Sequence, residues 1–234
     1  MIENTIKFKN QLDAATKLFE ILPKKELLDR KTLVICPSLE SVIMADELCL
    51  RLGLNYEMLF CEPIPAPNNA ECNIAVVSET EEIVLNDALI RAFGISYDFV
   101  YGEAHRKYEE KILKNIYKFR KGNLIGKEKL DDRNILLVDE GCETGLTALV
   151  CIKTLINLGA KTISYATPVI AQDVAVVLGE IVDEIYAVDK IVNFIDVDSY
   201  YEEKLETTTE CIMSILEDSP KYLPLQKQQQ GDEE

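Results

Sequence analysis

The sequence predicts an α/β fold: a doubly wound, mainly parallel sheet with helices on both faces. Three observations predict it. Short continuous apolar runs, TLVIC at 32–36 and NILLV at 134–138, read as strands buried on both sides. Stretches with helical spacing of apolar residues lie between the strand-like runs. Strand and helix patterns then alternate along most of the chain, as parallel βαβ units require.

Each element has its own reason. Phe8, Leu12, Ala15, Leu18, Phe19 and Leu22 recur at helical spacing, which predicts a helix over 8–22. Thr32–Cys36 is a buried strand ending at Pro37. Ser41 is placed to cap a helix through Leu52, closed by Gly53. Tyr56–Phe60 and Asn73–Val77 read as further strands, joined by the Pro- and Asn-rich connection CEPIPAPNNAE. A helix runs from about Asn86 to Gly94, and 97–120 is a long charged helical segment. Asn134–Val138 is the clearest strand, followed by a turn and a helix over Leu146–Leu158 that stops at Gly159. Thr162–Thr167 is a strand ending at Pro168. A short helix over about 171–179, a strand over Val182–Ala187 and an amphipathic helix over Glu203–Leu216 complete the pattern. In that last helix Leu205, Cys211, Ile212 and Leu216 are expected to face inward.

Residues 1–218 read as a single domain with no internal repeat. Residues 219–234, ending in QKQQQGDEE, read as a disordered acidic and Gln-rich tail, because such a composition buries too little apolar surface to order itself. The chain has 25 basic and 41 acidic residues, a formal charge of −16. The excess is concentrated after position 138, where no Arg occurs. A general nucleic-acid binder needs a basic face, and so does a binder of anionic membranes; both classes are disfavoured. Apolar runs are too short for a membrane span, and the first residues have no apolar stretch of signal-peptide type. Seven Cys, without a CxxC pair and mostly among apolar residues, read as reduced core thiols of a cytoplasmic protein. The lone His105 lies in a charged stretch, where a solvated side chain is expected, and no second His completes a metal cluster.

In open α/β sheets ligands bind beyond the carboxyl ends of the strands, which directs attention to the turns at Pro37–Ser41, Asp139–Thr147 and Pro168–Gln172. The segment NILLV-DEGCETGLTA carries the chemistry. A buried strand delivers two adjacent carboxylates, Asp139 and Glu140. A turn with Gly141 and Gly145 follows, with hydroxyls at Thr144 and Thr147, and a helix starts at once. Turn amides and a helix N-terminus attract phosphate, and the two Thr can donate to its oxygens. The carboxylates can accept from ribose hydroxyls or hold Mg²⁺ through water. The bland alternatives are an acidic strand end and Thr side chains that merely cap the helix. Cys142 sits where a helix N-terminus tends to lower a thiol pKa, yet no base is placed beside it by the sequence.

This segment resembles the signature of the phosphoribosyltransferase superfamily: an apolar strand, two acids, three intervening residues and a Thr-Gly-x-Thr turn. The resemblance implies that Asp139 and Glu140 contact the ribose of phosphoribosyl pyrophosphate. It also implies that the turn of Gly141, Cys142, Glu143, Thr144, Gly145, Leu146 and Thr147 binds the 5′-phosphate. Mg²⁺ is the implied cofactor, with Asp139 and Glu140 as its water-bridged ligands. The chain is similar to a bacterial branch of the superfamily through Phe8 and Ala14, Pro67–Glu71, the trio Tyr117, Arg120 and Gly122, and Thr167-Pro168-Val169. That resemblance implies a homodimer with a small phosphosugar or nucleotide partner. The implied reaction is displacement of pyrophosphate from the anomeric carbon by a nitrogenous acceptor.

The departures are specific. Pro37, Ser38, Leu39 and Glu40 occupy the candidate pyrophosphate turn, where the branch has small residues and an Arg. Glu62 stands where a basic residue is usual, and Glu143 where a small one is. The stretch 106–121 holds seven basic and two acidic residues. It is either a hood that closes over phosphates or a solvated helix face with pairs such as Glu110–Lys114 over a buried stripe of Ile112, Leu113, Ile116 and Phe119. Tyr200 and Tyr201 are either stacking partners for a base or rim packing. Two functions stay open: a phosphoribosyltransferase, or the same fold kept as a non-catalytic module that senses a ligand or binds a partner.

Overall fold

The computed structural model describes residues 7–203 and 208–226. In chain order α1 (Gln11–Ile21) and α2 (Lys24–Asp29) precede β1 (Leu33–Cys36), α3 (Val42–Leu52) and β2 (Asn55–Met58). Then come β3 (Cys61–Ala66), β4 (Asn69–Ser78), β5 (Ile83–Leu85) and α4 (Asp87–Ala92). The helix α5 (Tyr97–Lys107) runs through one π-turn, Tyr108–Ile112, into α6 (Leu113–Arg120). After α7 (Lys127–Leu130) follow β6 (Asn134–Val138), α8 (Leu146–Asn157), β7 (Thr162–Ala171), α9 (Gln172–Gly179), β8 (Glu184–Ile191) and α10 (Thr209–Asp218).

The central sheet is parallel, in the order β2-β1-β6-β7-β8. Its residues alternate between two cores, as the period of a strand requires. Val34, Cys36, Leu136 and Val138 join the core with α1, α3 and α10, while Leu33, Ile35, Ile135 and Leu137 join the core with α8 and α9. Both faces are therefore covered and the sheet is doubly wound, as the continuous apolar runs predict. The glycine stops follow the sequence, whereas Ser41 stands before α3 without capping it, its hydroxyl donating back to Ser38 O. Gly53 and Gly159 take the left-handed conformation, with φ of 74° and 88°, that ends a helix cheaply only at glycine.

Four expectations are corrected. The connection CEPIPAPNNAE is a strand and a turn: β3 and β4 form an antiparallel hairpin, and with β5 a second, three-stranded sheet. β3 is an edge strand, where Pro63 and Pro65 need not donate to a neighbour. β7 continues past Pro168 to Ala171, because its pairing with β8 passes over Pro168 from Thr167↔Ala187 to Val169↔Asp189. Cys211 is exposed, although Ile212 and Leu216 of α10 are buried as expected; Leu205 lies outside the described residues. In α6, Leu113 is exposed while Ile112, Ile116 and Phe119 are buried.

The segment assigned to the tail is also corrected over Ser219–Gln226; residues 227–234 lie outside the described part. Tyr222 is fully buried against Tyr56, with ring centroids 5.3 Å apart. The Tyr56 amide donates to Lys221 O at 2.9 Å, so the segment covers the β2 edge of the sheet. The physical reason is the apolar cluster Tyr222, Leu223 and Leu225, which lies just before the Gln run. Tyr222 Oη donates to Phe119 O at 3.1 Å. Tyr222→Phe is expected to cost about 1–2 kcal/mol, because it strands a buried carbonyl; urea denaturation measures the loss.

Candidate functional site

β6 ends at Val138, so Asp139 and Glu140 emerge at the carboxyl edge of the sheet, between the turns that follow β1 and β7. Asp139 is buried. Its Oδ2 accepts a hydrogen bond from Tyr165 Oη at 3.3 Å, and its Oδ1 from the Glu140 amide at 3.2 Å. Glu140 Oε2 accepts from the Ser38 hydroxyl at 3.1 Å, and its backbone carbonyl from Tyr201 Oη at 2.6 Å. Burial pushes both carboxyls up, Asp139 to about 6 and Glu140 well above its usual range. The charge of Asp139 adds to the rise at Glu140, and Glu40 raises both. Contact between the two side chains acts in opposite senses, lowering Asp139 and raising Glu140. This is the usual outcome for adjacent carboxylates without a cation.

The turn after the pair has two parts. Cys142 is bonded into the sheet, donating its amide to Val169 O and accepting from the Ala171 amide, both at 2.9 Å. Its amide is therefore withdrawn from the candidate phosphate turn. Burial pushes its thiol up to about 12, so burial outweighs the helix terminus and the thiol stays protonated. From Glu143 onward the turn is open. Gly145 caps α8 with φ 73° and no side-chain cap. Among the described residues, nothing accepts from the amides of Glu143, Thr144, Leu146 and Thr147, and the hydroxyls of Thr144 and Thr147 have no partner. The two Thr therefore do not cap the helix, leaving its first N–H groups and their partial positive charge free. Glu143 is exposed, so water screens its charge.

Two neighbours were missed from sequence. Tyr165 stands on β7 in register with Leu137; only the pairing of β6 with β7 brings it to Asp139. Val197, in the 3₁₀ turn Val197–Tyr200, closes on Gly141. A Cβ at 141 would lie 2.6 and 2.8 Å from the Val197 methyls, so only glycine permits this approach. Gly141→Ala is expected to cost about 1–3 kcal/mol through overpacking, read by urea denaturation. Tyr201 packs its ring on Phe8, with centroids 5.6 Å apart, so it serves as rim packing that also holds Glu140.

Other sequence-marked residues stand elsewhere. Pro67–Glu71 forms the tip of the β3–β4 hairpin. Tyr117 is exposed, and Arg120 is buried against Glu57 and Glu79. In the basic stretch Arg106 pairs with Glu103 and Glu110, so Glu110 does not pair with Lys114. Lys107 reaches Glu62 at 3.8 Å, which places this part of the helix against the hairpin. His105 lies 3.5 Å from Glu109 on an exposed surface. All seven thiols are free, with Cys61 and Cys151 3.4 Å apart. No helix among the described residues is long and apolar enough to cross a membrane.

The parallel five-stranded sheet with helices on both faces and the flanking hairpin sheet define the class: an α/β protein with a doubly wound sheet, whose acid pair stands at the carboxyl edge. Among solved structures, TT1426 from Thermus thermophilus is similar at 24% identity and TM-score 0.69, covering 92% of this chain and 99% of its own. A hypothetical protein from Neisseria gonorrhoeae with bound ppGpp matches at 12% identity and TM-score 0.43, covering 86% of this chain and 95% of its own. Purine phosphoribosyltransferase from Pyrococcus horikoshii Ot3 matches at 15% identity and TM-score 0.40, covering 79% of this chain and 93% of its own. No protein-family model matches the sequence, and no curated protein matches it.

Proposed function

We propose that this chain binds a 5-phosphoribosyl compound, phosphoribosyl pyrophosphate or a nucleoside 5′-phosphate, at the carboxyl edge of its sheet. The observation that carries the reading is the juxtaposition of two adjacent carboxyls, Asp139 and Glu140, with a row of unpartnered amides three residues further on. A ribose diol offers two O–H donors to Asp139 and Glu140. A 5′-phosphate accepts from the amides of Glu143, Thr144, Leu146 and Thr147, from the two Thr hydroxyls and from the α8 terminus.

Two roles fit such a site. One is transfer of the phosphoribosyl group to a nitrogenous acceptor, in which a positioned ribose and fixed dipoles lower the barrier. The other is ligand sensing without chemistry. The turn at 37–41, which adds a carboxylate and no cation, favours the second. For Mg²⁺, the carboxyl pair supplies the hard oxygen donors the ion prefers. Among the described residues no group of three His, Cys, Asp or Glu side chains gathers around a metal position. The fit is thus to an ion that keeps waters and ligand oxygens in its shell, as Mg²⁺ does. Asp139 and Glu140 would hold it, and it would neutralise anionic charge there.

Calorimetry with ribose 5-phosphate tests the reading, because this compound carries the sugar and phosphate and nothing else. Saturable binding that weakens in Asp139→Asn is expected. No heat from the wild type at millimolar ligand would sink the reading.

A further inference from the structure

The second turn at the acid pair, Pro37–Ser41, is closed on itself. The Ser38 amide donates to Ser41 Oγ at 3.2 Å, the Ser41 amide to Ser38 Oγ at 3.0 Å, and the Val42 amide to Leu39 O at 3.3 Å. The Ser41 hydroxyl donates back to Ser38 O at 3.0 Å, and Ser41 is fully buried. The Ser38 hydroxyl has two acceptors within reach, Ser41 Oγ at 2.9 Å and Glu140 Oε2 at 3.1 Å. A turn that cradles a polyanion must point its amides outward; this one spends those of Ser38 and Ser41 internally and leaves those of Leu39 and Glu40.

The charges point the same way. Glu40 is an exposed carboxylate on this turn, and its field reaches Asp139, Glu140 and Glu62. No basic residue occurs between Lys31 and Arg51 or between Arg133 and Lys153, so neither turn brings a cation of its own. Lys107 is taken by Glu62 at 3.8 Å, and Lys111 also acts on Glu62. Arg120 is locked between Glu57 and Glu79.

Resting on the phosphoribosyl reading above, we infer that this site takes ligands whose anomeric substituent is uncharged, nucleoside 5′-monophosphates, and discriminates against phosphoribosyl pyrophosphate. The 143–147 turn is open to one phosphate, whereas the 37–41 turn offers a second anionic group a carboxylate and two amides. Like charge placed against like charge is a means of rejecting a ligand that otherwise fits.

Calorimetry in Mg²⁺ buffer decides it, with ribose 5-phosphate, the four common ribonucleoside 5′-monophosphates and phosphoribosyl pyrophosphate as titrants. At least one monophosphate is expected to bind about tenfold or more tighter than phosphoribosyl pyrophosphate. Glu40→Gln is expected to strengthen phosphoribosyl pyrophosphate binding more than ribose 5-phosphate binding. If ribose 5-phosphate binds and phosphoribosyl pyrophosphate matches or exceeds every monophosphate, the inference falls and the phosphoribosyl site stands. The inference also falls if Glu40→Gln leaves the ratio unchanged. If ribose 5-phosphate and all other titrants fail to bind, the phosphoribosyl reading itself falls, and the inference with it.

Discussion

Asp139→Asn is expected to make the free protein more stable and a poorer binder of phosphoribosyl ligands. Burial holds Asp139 up at about 6, above its ordinary value near 4. Between those values the folded state keeps a proton that the unfolded chain has released. Wild-type stability therefore falls as pH rises through that window and stays lowered above it. Asn is isosteric, keeps an oxygen that accepts from Tyr165, and carries no charge to desolvate. At pH 8 the variant is expected to gain on the order of 1–3 kcal/mol, and at pH 4 the difference vanishes. Urea denaturation at the two pH values measures this; an equal effect at both would contradict the burial argument.

Binding has the opposite slope. The ribose hydroxyls donate to ionised carboxylates, so affinity for ribose 5-phosphate is expected to rise as pH passes through 6. In Asp139→Asn it is expected to drop roughly 10- to 100-fold, the worth of a hydrogen bond to a charged acceptor. Glu140→Gln is expected to weaken binding as well, since it replaces one oxygen of the carboxyl that faces Ser38. A site that costs stability when empty and recovers it when filled is the pattern expected of a binding site rather than of an acidic strand end.

What the sequence made legible here was local. The β6 strand, the acid pair, the Gly145 turn and the start of α8 follow one another without a break, so the apolar run and the turn chemistry locate them directly. Tyr165, Val197 and the self-closed state of Ser38–Ser41 depend on which strands become neighbours, and residue patterns within one segment do not carry that information. The β3–β4 hairpin was hidden for another reason. Pro63 and Pro65 mark a break in an interior strand but are harmless on an edge, and edge position is a property of the assembled sheet. Tyr222 was hidden by its surroundings: one aromatic beside a Gln run is outweighed in a composition average, although it fills the gap over Tyr56.

Arg120→Met is expected to cost roughly 3–5 kcal/mol, because it leaves buried carboxylates without their cation. The Arg120 guanidinium joins three elements. Its Nε lies 2.9 Å from Glu57 on β2, its Nη1 lies 2.8 Å from Glu79 just beyond β4, and its Nη2 donates to Met58 O. Nη1 also donates to Asn123 O at 3.2 Å. Glu57 and Glu79 are both fully buried. Lys129 supports Glu57 at 3.2 Å and the Ile125 amide supports Glu79 at 3.3 Å. Even so, burial outweighs Arg120 and holds Glu79 up to about 7. Without the guanidinium that carboxyl rises further and takes up a proton on folding. A raised carboxyl is neutral at low pH and costs stability as pH rises, so the deficit of Arg120→Met is expected to be largest near pH 8.5 and smaller near pH 5.5. The paired variant Arg120→Met/Glu79→Gln is expected to recover part of the loss at pH 8.5 and little at pH 5.5. Denaturation midpoints for both proteins at both pH values check the sign. A deficit independent of pH would assign the cost to lost packing and not to the unpaired charge. The two sheets meet at this cluster, so its loss is also expected to loosen the β3–β4 hairpin that carries Glu62 toward the mouth of the site. Faster hydrogen exchange at Ile74–Val77 in Arg120→Met, relative to the wild type under the same conditions, would register that coupling.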